Sequence, residues 1–355
     1  VNINDLTLDV VKSYADACRQ LRVCIEVLQA EGHDLLVVPS RGAHPFLHGA
    51  TCYAHQVAPL YDNSFFGPPI KQIEELYLPF TADISKDQPI SSAAIRLYWS
   101  RVLRAILKRD KSDVGYRFYE FLRKRTGRLA LGSTDIDGGR SGKFIFVDTV
   151  VSGQAIHEII EGFNSCGLTD CHFLLLIDED GKKLKPAYES TIDQMVSAGR
   201  AAKIVVTKIF TEDEGPAMSG IWTVTMPELT VVAQNTPGLA GVGDIAATLF
   251  YCEVARRKDD SNYDISLSNA KLNTLLYSAV GARDEVTESF LEEFRKHVGG
   301  AKLQDQAVTK RVAEPLIKEY LPINSTNVSG SHVIRAMVGE KEAEKMVREF
   351  LKSEA

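Results

Sequence analysis

Four short runs of uninterrupted apolar residues constrain the fold of this chain more than anything else in it. They are LLVV at Leu35–Val38, FIFV at Phe144–Val147, FLLLI at Phe173–Ile177 and IVVT at Ile204–Thr207. A strand with one face in water alternates apolar and polar residues. A strand covered on both faces has no reason to alternate, and such runs belong to parallel sheets with helices on either side. Amphipathic helical stretches lie between the runs. Val10, Val11, Tyr14, Cys18, Leu21, Ile25 and Leu28 recur at three- and four-residue spacing, which predicts a helix over 8–31 with Gly32 at its C-cap. Ser91 or Ser92 can cap a second helix whose face includes Ile95, Tyr98, Val102 and Ile106. Short helices are expected from Pro45, over Tyr116–Arg125 and over Gln154–Phe163. Ile221–Thr225 and Leu229–Ala233, joined through Pro227, read as a closing hairpin. Strand–helix alternation of this kind gives an α/β fold with a mainly parallel sheet.

Two stretches fall outside that alternation. Residues 57–90 are rich in Pro, Asn, Asp and Phe and show little periodicity, so 57–142 is expected to be an insertion or hood. From Asp244 onward every periodic segment is helical (244–258, 269–281, 284–298, 302–320 and 331–352). Pro237, Gly238, Gly241 and Gly243 mark the boundary before it. The expected division is an α/β domain over 1–236 and an all-helical region over 244–355.

Composition narrows the class. The chain has 355 residues, 45% of them apolar and 25% charged, as in an ordinary globular protein. The six cysteines (Cys18, Cys24, Cys52, Cys166, Cys171 and Cys252) form no CxxC pair, which argues against a zinc knuckle and for reduced, mostly buried thiols. No apolar run is long enough to span a membrane, and no charged segment leads into an apolar one as in a secretory signal. The expectation is a cytoplasmic protein. The net charge of −6 is uneven: residues 96–128 hold eleven Lys/Arg against three Asp/Glu, a local +8 that leaves −14 for the rest. Such a patch suggests an anionic partner. Tyr98, Trp99, Tyr116, Phe118, Tyr119 and Phe121 are interleaved with these charges, as in surfaces that hold single-stranded nucleic acid. Their spacing also fits inward packing.

Ligands of open α/β sheets sit beyond the carboxyl ends of the strands. Two strand ends carry chemistry here. Val147-Asp148-Thr149-Val150-Val151-Ser152-Gly153 leads straight into a helix. The first backbone N–H groups of a helix lack intrahelical acceptors and form an anion site. Ser152 adds a hydroxyl, Gly153 permits close approach, and Asp148 is an acceptor suited to sugar hydroxyls. Pro39-Ser40-Arg41-Gly42 follows the first strand, and Arg41 could grip diphosphate oxygens bidentately. Asp178, Glu179 and Asp180 end another strand and read as a solvated turn or the wall of an acceptor site. His44, His48 and His55 offer no third ligand with second-shell support, so they read as ordinary helix histidines and no protein-built metal site is expected.

The 143–155 segment, KFIFVDTVVSGQA, resembles the 5-phosphoribosyl diphosphate (PRPP) loop of type I phosphoribosyltransferases. Without gaps, Val147 and Asp148 fill the motif's acidic pair, Thr149 and Val150 its apolar pair, Val151 and Ser152 the next pair, followed by Gly153, Gln154 and Ala155. Val147 stands where one carboxylate is expected, and Thr149 and Ala155 are variants. A register in which Asp148 is the first acid puts Thr149 second and shortens the loop by one. Ser40-Arg41-Gly42 matches the pyrophosphate loop of that family in type and place. The resemblance covers roughly residues 1–235. It implies a twisted, mainly parallel sheet with a hood, Asp148 and Thr149–Ala155 on the ribose 5-phosphate, and Arg41 on the departing pyrophosphate. It also implies Mg²⁺ bridged by the ligand, with Asp148 the one protein group near it, and transfer of the phosphoribosyl group to a base or amine.

Three functions follow as expectations: a PRPP-dependent transferase; a sensor of nucleotide, in a regulatory or defence role, that has lost turnover with the missing carboxylate; and a nucleic-acid-associated or partner-docked protein using the 96–128 patch and the C-terminal helices. A homo-oligomer or complex subunit is expected in each case.

Overall fold

A computed structural model describes residues 7–39, 42–51, 73–78, 80, 91–117, 120, 141–179, 183–209, 286–293, 295, 296, 345 and 349. The expected hairpin at 221–233, the boundary at 236–243 and nearly all of the C-terminal helical region lie outside the described residues. Within 284–298, residues 288–293, 295 and 296 are helical.

The described elements alternate. In order they are α1 (Leu8–Ala30), β1 (Leu35–Val38), α2 (His44–Thr51), β2 (Glu74–Tyr77), α3 (Ser92–Lys108), β3 (Phe144–Val150), α4 (Gln154–Cys166), β4 (Cys171–Asp178), α5 (Pro186–Ser197) and β5 (Ala201–Val206). The five strands form one sheet in the order β2-β1-β3-β4-β5, every neighbouring pair parallel. The chain is thus an α/β protein with a parallel sheet. From β1 it steps to β2 on one side, then crosses back to β3 on the other side and continues outward through β4 and β5. Right-handed crossovers therefore place α2 on one face and α3, α4 and α5 on the other. Helix α1 packs beside α2, where Tyr14 stacks on Phe46 at 4.3 Å between ring centroids.

Three of the four apolar runs are buried on both faces; the fourth is not, because Val205 of β5 is 50% exposed. Leu35–Val38 are at most 1% exposed, and Phe144–Val147 likewise. On the α4 side Phe163 touches Phe144, Phe146, Phe173 and Phe80, with centroids 5.3–5.8 Å apart. Helix α3 lies on α4 at close range. A Cβ on Gly162 would stand 2.6 Å from the hydroxyl of Ser100, which donates to the Arg96 carbonyl at 2.7 Å. The thiols of Cys18 and Cys171 are buried and free, and burial pushes the Cys18 thiol up to about 12.

Two elements depart from the sequence expectation. Strand β2, EELY, lies within the stretch expected to be an irregular hood, and α3 lies in the same 57–142 interval; both are integral to the sheet and its covering layer. Strand β2 pairs with β1 alone among the described strands, and it escapes notice because EELY is no uninterrupted apolar run. Helix α5 was not expected at all. Only Ile192 and Met195 of its twelve residues are buried, too few to make a period, although Pro186 at its first turn is a start signal.

Candidate functional site

The strand order reverses between β1 and β3, and in open α/β sheets the crevice beyond the carboxyl ends at such a reversal is where ligands bind. Both loops singled out from sequence leave the sheet there. Register places them closely: Val37 pairs with Phe146, so Val38 is level with Val147 and Asp148 stands level with Pro39, just past the end of β1. Ser40 and Arg41 lie outside the described residues. Gly42 is in a half-buried turn before α2.

The β3–α4 connection is tighter than the sequence implies. Thr149 and Val150, expected in the loop, continue strand β3 and pair with Leu176 and Ile177 of β4. Val150 is 2% exposed, so its side chain serves the core and not a phosphate cradle. The connection is Val151, Ser152 and Gly153. Gly153 caps α4 with φ +84°, a left-handed conformation that favours glycine. On the side where a Cβ would project, Leu184 Cδ1 stands at 2.6 Å and Tyr188 Cβ at 2.8 Å. The reason for glycine here is therefore this backbone turn under the β4–α5 segment, rather than close approach of a ligand on that side. The Lys185 N–H fixes the segment by donating to the Ser152 carbonyl at 3.2 Å.

What remains open at this corner is the start of α4. The Ser152 hydroxyl accepts from the Gln154 N–H at 3.4 Å, which leaves the hydroxyl's own proton to donate outward. Gln154 is exposed, and its amide donates to Glu158 Oε1 at 2.9 Å. Ala155 is half-buried. Asp148 is 5% exposed, and its Oδ1 accepts from the Thr149 N–H at 2.8 Å. By strand alternation it faces the α3–α4 layer with Phe144 and Phe146. That layer brings up a cation from the head of the 96–128 basic segment. Arg96 of α3, 9% exposed, pairs with Glu158 of α4, which also accepts from the Ser92 hydroxyl. Burial lowers the Arg96 guanidinium from its ordinary value, and the charge of Asp148 opposes that shift.

Other sequence candidates end elsewhere. Asp178 is buried at the end of β4, where its Oδ1 accepts from the Ile209 N–H at 2.6 Å, and the Glu179 N–H bonds the Val206 carbonyl. These contacts fasten the chain around β5 and give Asp178 a structural role; Asp180 lies outside the described residues. Tyr98, Trp99 and Tyr116 are 3%, 1% and 8% exposed, so they hold the core and offer no face for a base to stack on. Phe118, Tyr119 and Phe121 lie outside the described residues. Arg96 is internal, and Arg117 pairs with Glu349 at 3.6 Å. Lys108 and Lys111 are exposed. Among the described residues no group of three or more His, Cys, Asp or Glu side chains could hold a metal ion, and no helix is long and apolar enough to cross a membrane. No protein-family model, curated protein or solved structure matches the chain.

Proposed function

We propose that this chain binds the ribose 5-phosphate group of PRPP or of a nucleotide in the crevice between β1 and β3, in a phosphoribosyltransferase-like fold. One observation carries the reading: the two loops with phosphate chemistry, far apart in sequence, leave adjacent strands at the point where strand order reverses. In this reading the Ser152 hydroxyl and the first N–H groups of α4 hold the 5-phosphate. Asp148, at the other end of the connection, accepts from the ribose hydroxyls. Arg41 takes diphosphate oxygens. The donor set fits an Mg²⁺ ion that arrives on the diphosphate, with Asp148 the one described side chain near it; when bound, the ion offsets the diphosphate charge. The residues themselves bind and orient. Catalysis would come from positioning and from stabilising charge as pyrophosphate leaves and a base or amine captures the ribose.

A second reading, a nucleotide sensor without turnover, is favoured by the state of Asp148. It is one carboxylate where the resembled motif has two, and it is buried with its Oδ1 already engaged by Thr149. Pyrophosphate release across purine, pyrimidine and amine acceptors separates the two. Release supports the transferase; saturable PRPP binding with no release under any acceptor supports the sensor. The absence of binding by PRPP and nucleotides alike overturns both.

A further inference from the structure

We infer that Arg96 sets the charge at the phosphate end of this site: by pairing with Glu158 it cancels the negative charge that Glu158 brings to the start of α4. The inference rests on the ribose-phosphate reading and deepens it, naming what keeps that helix start open to an anion. Glu158 lies four residues after Gln154, the first residue of α4, and a helical side chain leans back toward the N-terminus of its helix. Glu158 Oε1 accepts from the Gln154 amide at 2.9 Å and from the Ser92 hydroxyl at 3.2 Å. The first of these bonds ties the exposed Gln154 side chain to the flank of α4. It also brings a carboxylate close to the first turn. The helix dipole attracts a carboxylate there as it attracts a phosphate, so an uncompensated Glu158 would oppose the ligand. The Glu158 side chain is 15% exposed, so solvent and salt screen its charge weakly.

Helix packing delivers the cation that removes this opposition. A Cβ on Gly162 would stand 2.6 Å from the Ser100 hydroxyl, so α3 and α4 touch closely at that point. One turn earlier on each helix, Arg96 meets Glu158, its Nη1 donating to Oε2. One turn earlier still on α3, Ser92 reaches the other oxygen of the same carboxylate. Both Glu158 oxygens are thus engaged, and the Arg96–Glu158 pair is neutral as a unit. A pair that served only to join α3 to α4 would hold equally well at any distance from the helix start. This one stands where its net charge acts on a bound phosphate, so removing either partner should move phosphate affinity in opposite directions.

The test is calorimetric titration with inorganic phosphate and ribose 5-phosphate at one salt concentration. The proteins are wild type, Arg96→Met, Glu158→Gln and the double variant Arg96→Met/Glu158→Gln. Arg96→Met, which leaves Glu158 uncompensated, should weaken both ligands about three- to tenfold, the size of one unit charge acting over a few ångströms of partly screened protein. Glu158→Gln keeps an oxygen for the Gln154 amide and the Ser92 hydroxyl but frees the Arg96 charge, and should tighten both ligands by about the same factor. The double variant is neutral like the wild-type pair and should bind within about twofold of wild type. Single variants that shift affinity in the same direction, or that leave it within about twofold of wild type, overturn the role of Arg96. A double variant as far from wild type as either single does so too. Should Arg96→Met fail to fold, Glu158→Gln decides alone: tighter binding than wild type supports the inference, and equal or weaker binding overturns it. Wild type that binds neither ligand overturns the ribose-phosphate reading itself, and with it this inference.

Discussion

Strands β3 and β4 run side by side, and each carries a buried aspartate near its carboxyl end. Asp148 and Asp178 are 5% and 6% exposed, and each accepts a backbone N–H through Oδ1. Their partners separate them. Asp178 takes the N–H of Ile209, a residue beyond the end of β5, so it ties together two parts of the chain. Asp148 takes the N–H of its own neighbour Thr149, a bond within its own strand. Asp178 sits between two strands laid down in the same direction. Asp148 sits where strand order reverses, five residues before the N-cap of α4. Residue type and burial are the same, so position in the topology is what distinguishes a fastener from a candidate site.

Substitutions can break that comparison. The largest stability effect is expected at Gly153, which holds the corner beside Asp148. An Ala there meets both the left-handed backbone and the Leu184 and Tyr188 side chains, for a loss of about 2–4 kcal/mol in urea denaturation. Asp178→Ala comes next. It leaves the Ile209 N–H buried without an acceptor, and should lower stability by about 1–3 kcal/mol while leaving ligand affinity unchanged. Asp178→Asn, which keeps an oxygen for that N–H, should lose less. Asp148→Asn keeps an oxygen for the Thr149 N–H and should cost under about 1 kcal/mol of stability, yet weaken ribose-phosphate binding about tenfold. If Asp178→Ala changed affinity as much as Asp148→Asn, the distinction between the two strand ends would collapse.

The smallest effect concerns the opposite end of β4. Burial first, and then the neighbouring His33, push the His172 imidazole below its ordinary value, against a smaller opposing influence of Glu31. The folded protein therefore binds fewer protons there than the unfolded chain. This contribution to stability is present above the ordinary histidine pKa of about 6.5 and is lost as pH falls through the lowered value. The urea midpoint of His172→Gln should accordingly fall less steeply than that of wild type between about pH 6.5 and 5. Equal slopes would mean that His172 titrates alike in both states.

What the sequence revealed and what it hid divide along physical lines. Strands β1, β3 and β4 were legible because burial on both faces forbids polar residues, and LLVV, FIFV and FLLLI show it directly. Strand β2, which pairs with β1 alone among the described strands, was not, because EELY is half acidic. Helix α5 was not, because two buried residues in twelve leave no period. At the site, the loop chemistry of Ser152 and Gly153 and the carboxylate of Asp148 could be read from local order. The lengthening of β3 through Val150 could not, since it depends on pairing with Ile177 of β4. Nor could Arg96, which sits 62 positions before Glu158 and reaches it only through the packing of α3 on α4. A charge run suggested a solvated or ligand-facing surface there; its first arginine instead serves inside.

The most direct test titrates PRPP with Mg²⁺ into wild type, Asp148→Asn and Asp178→Asn by calorimetry at one salt concentration. The account predicts saturable binding by wild type, binding weakened about tenfold in Asp148→Asn, and wild-type affinity in Asp178→Asn. Binding absent from wild type, or lowered equally by the two substitutions, would contradict it.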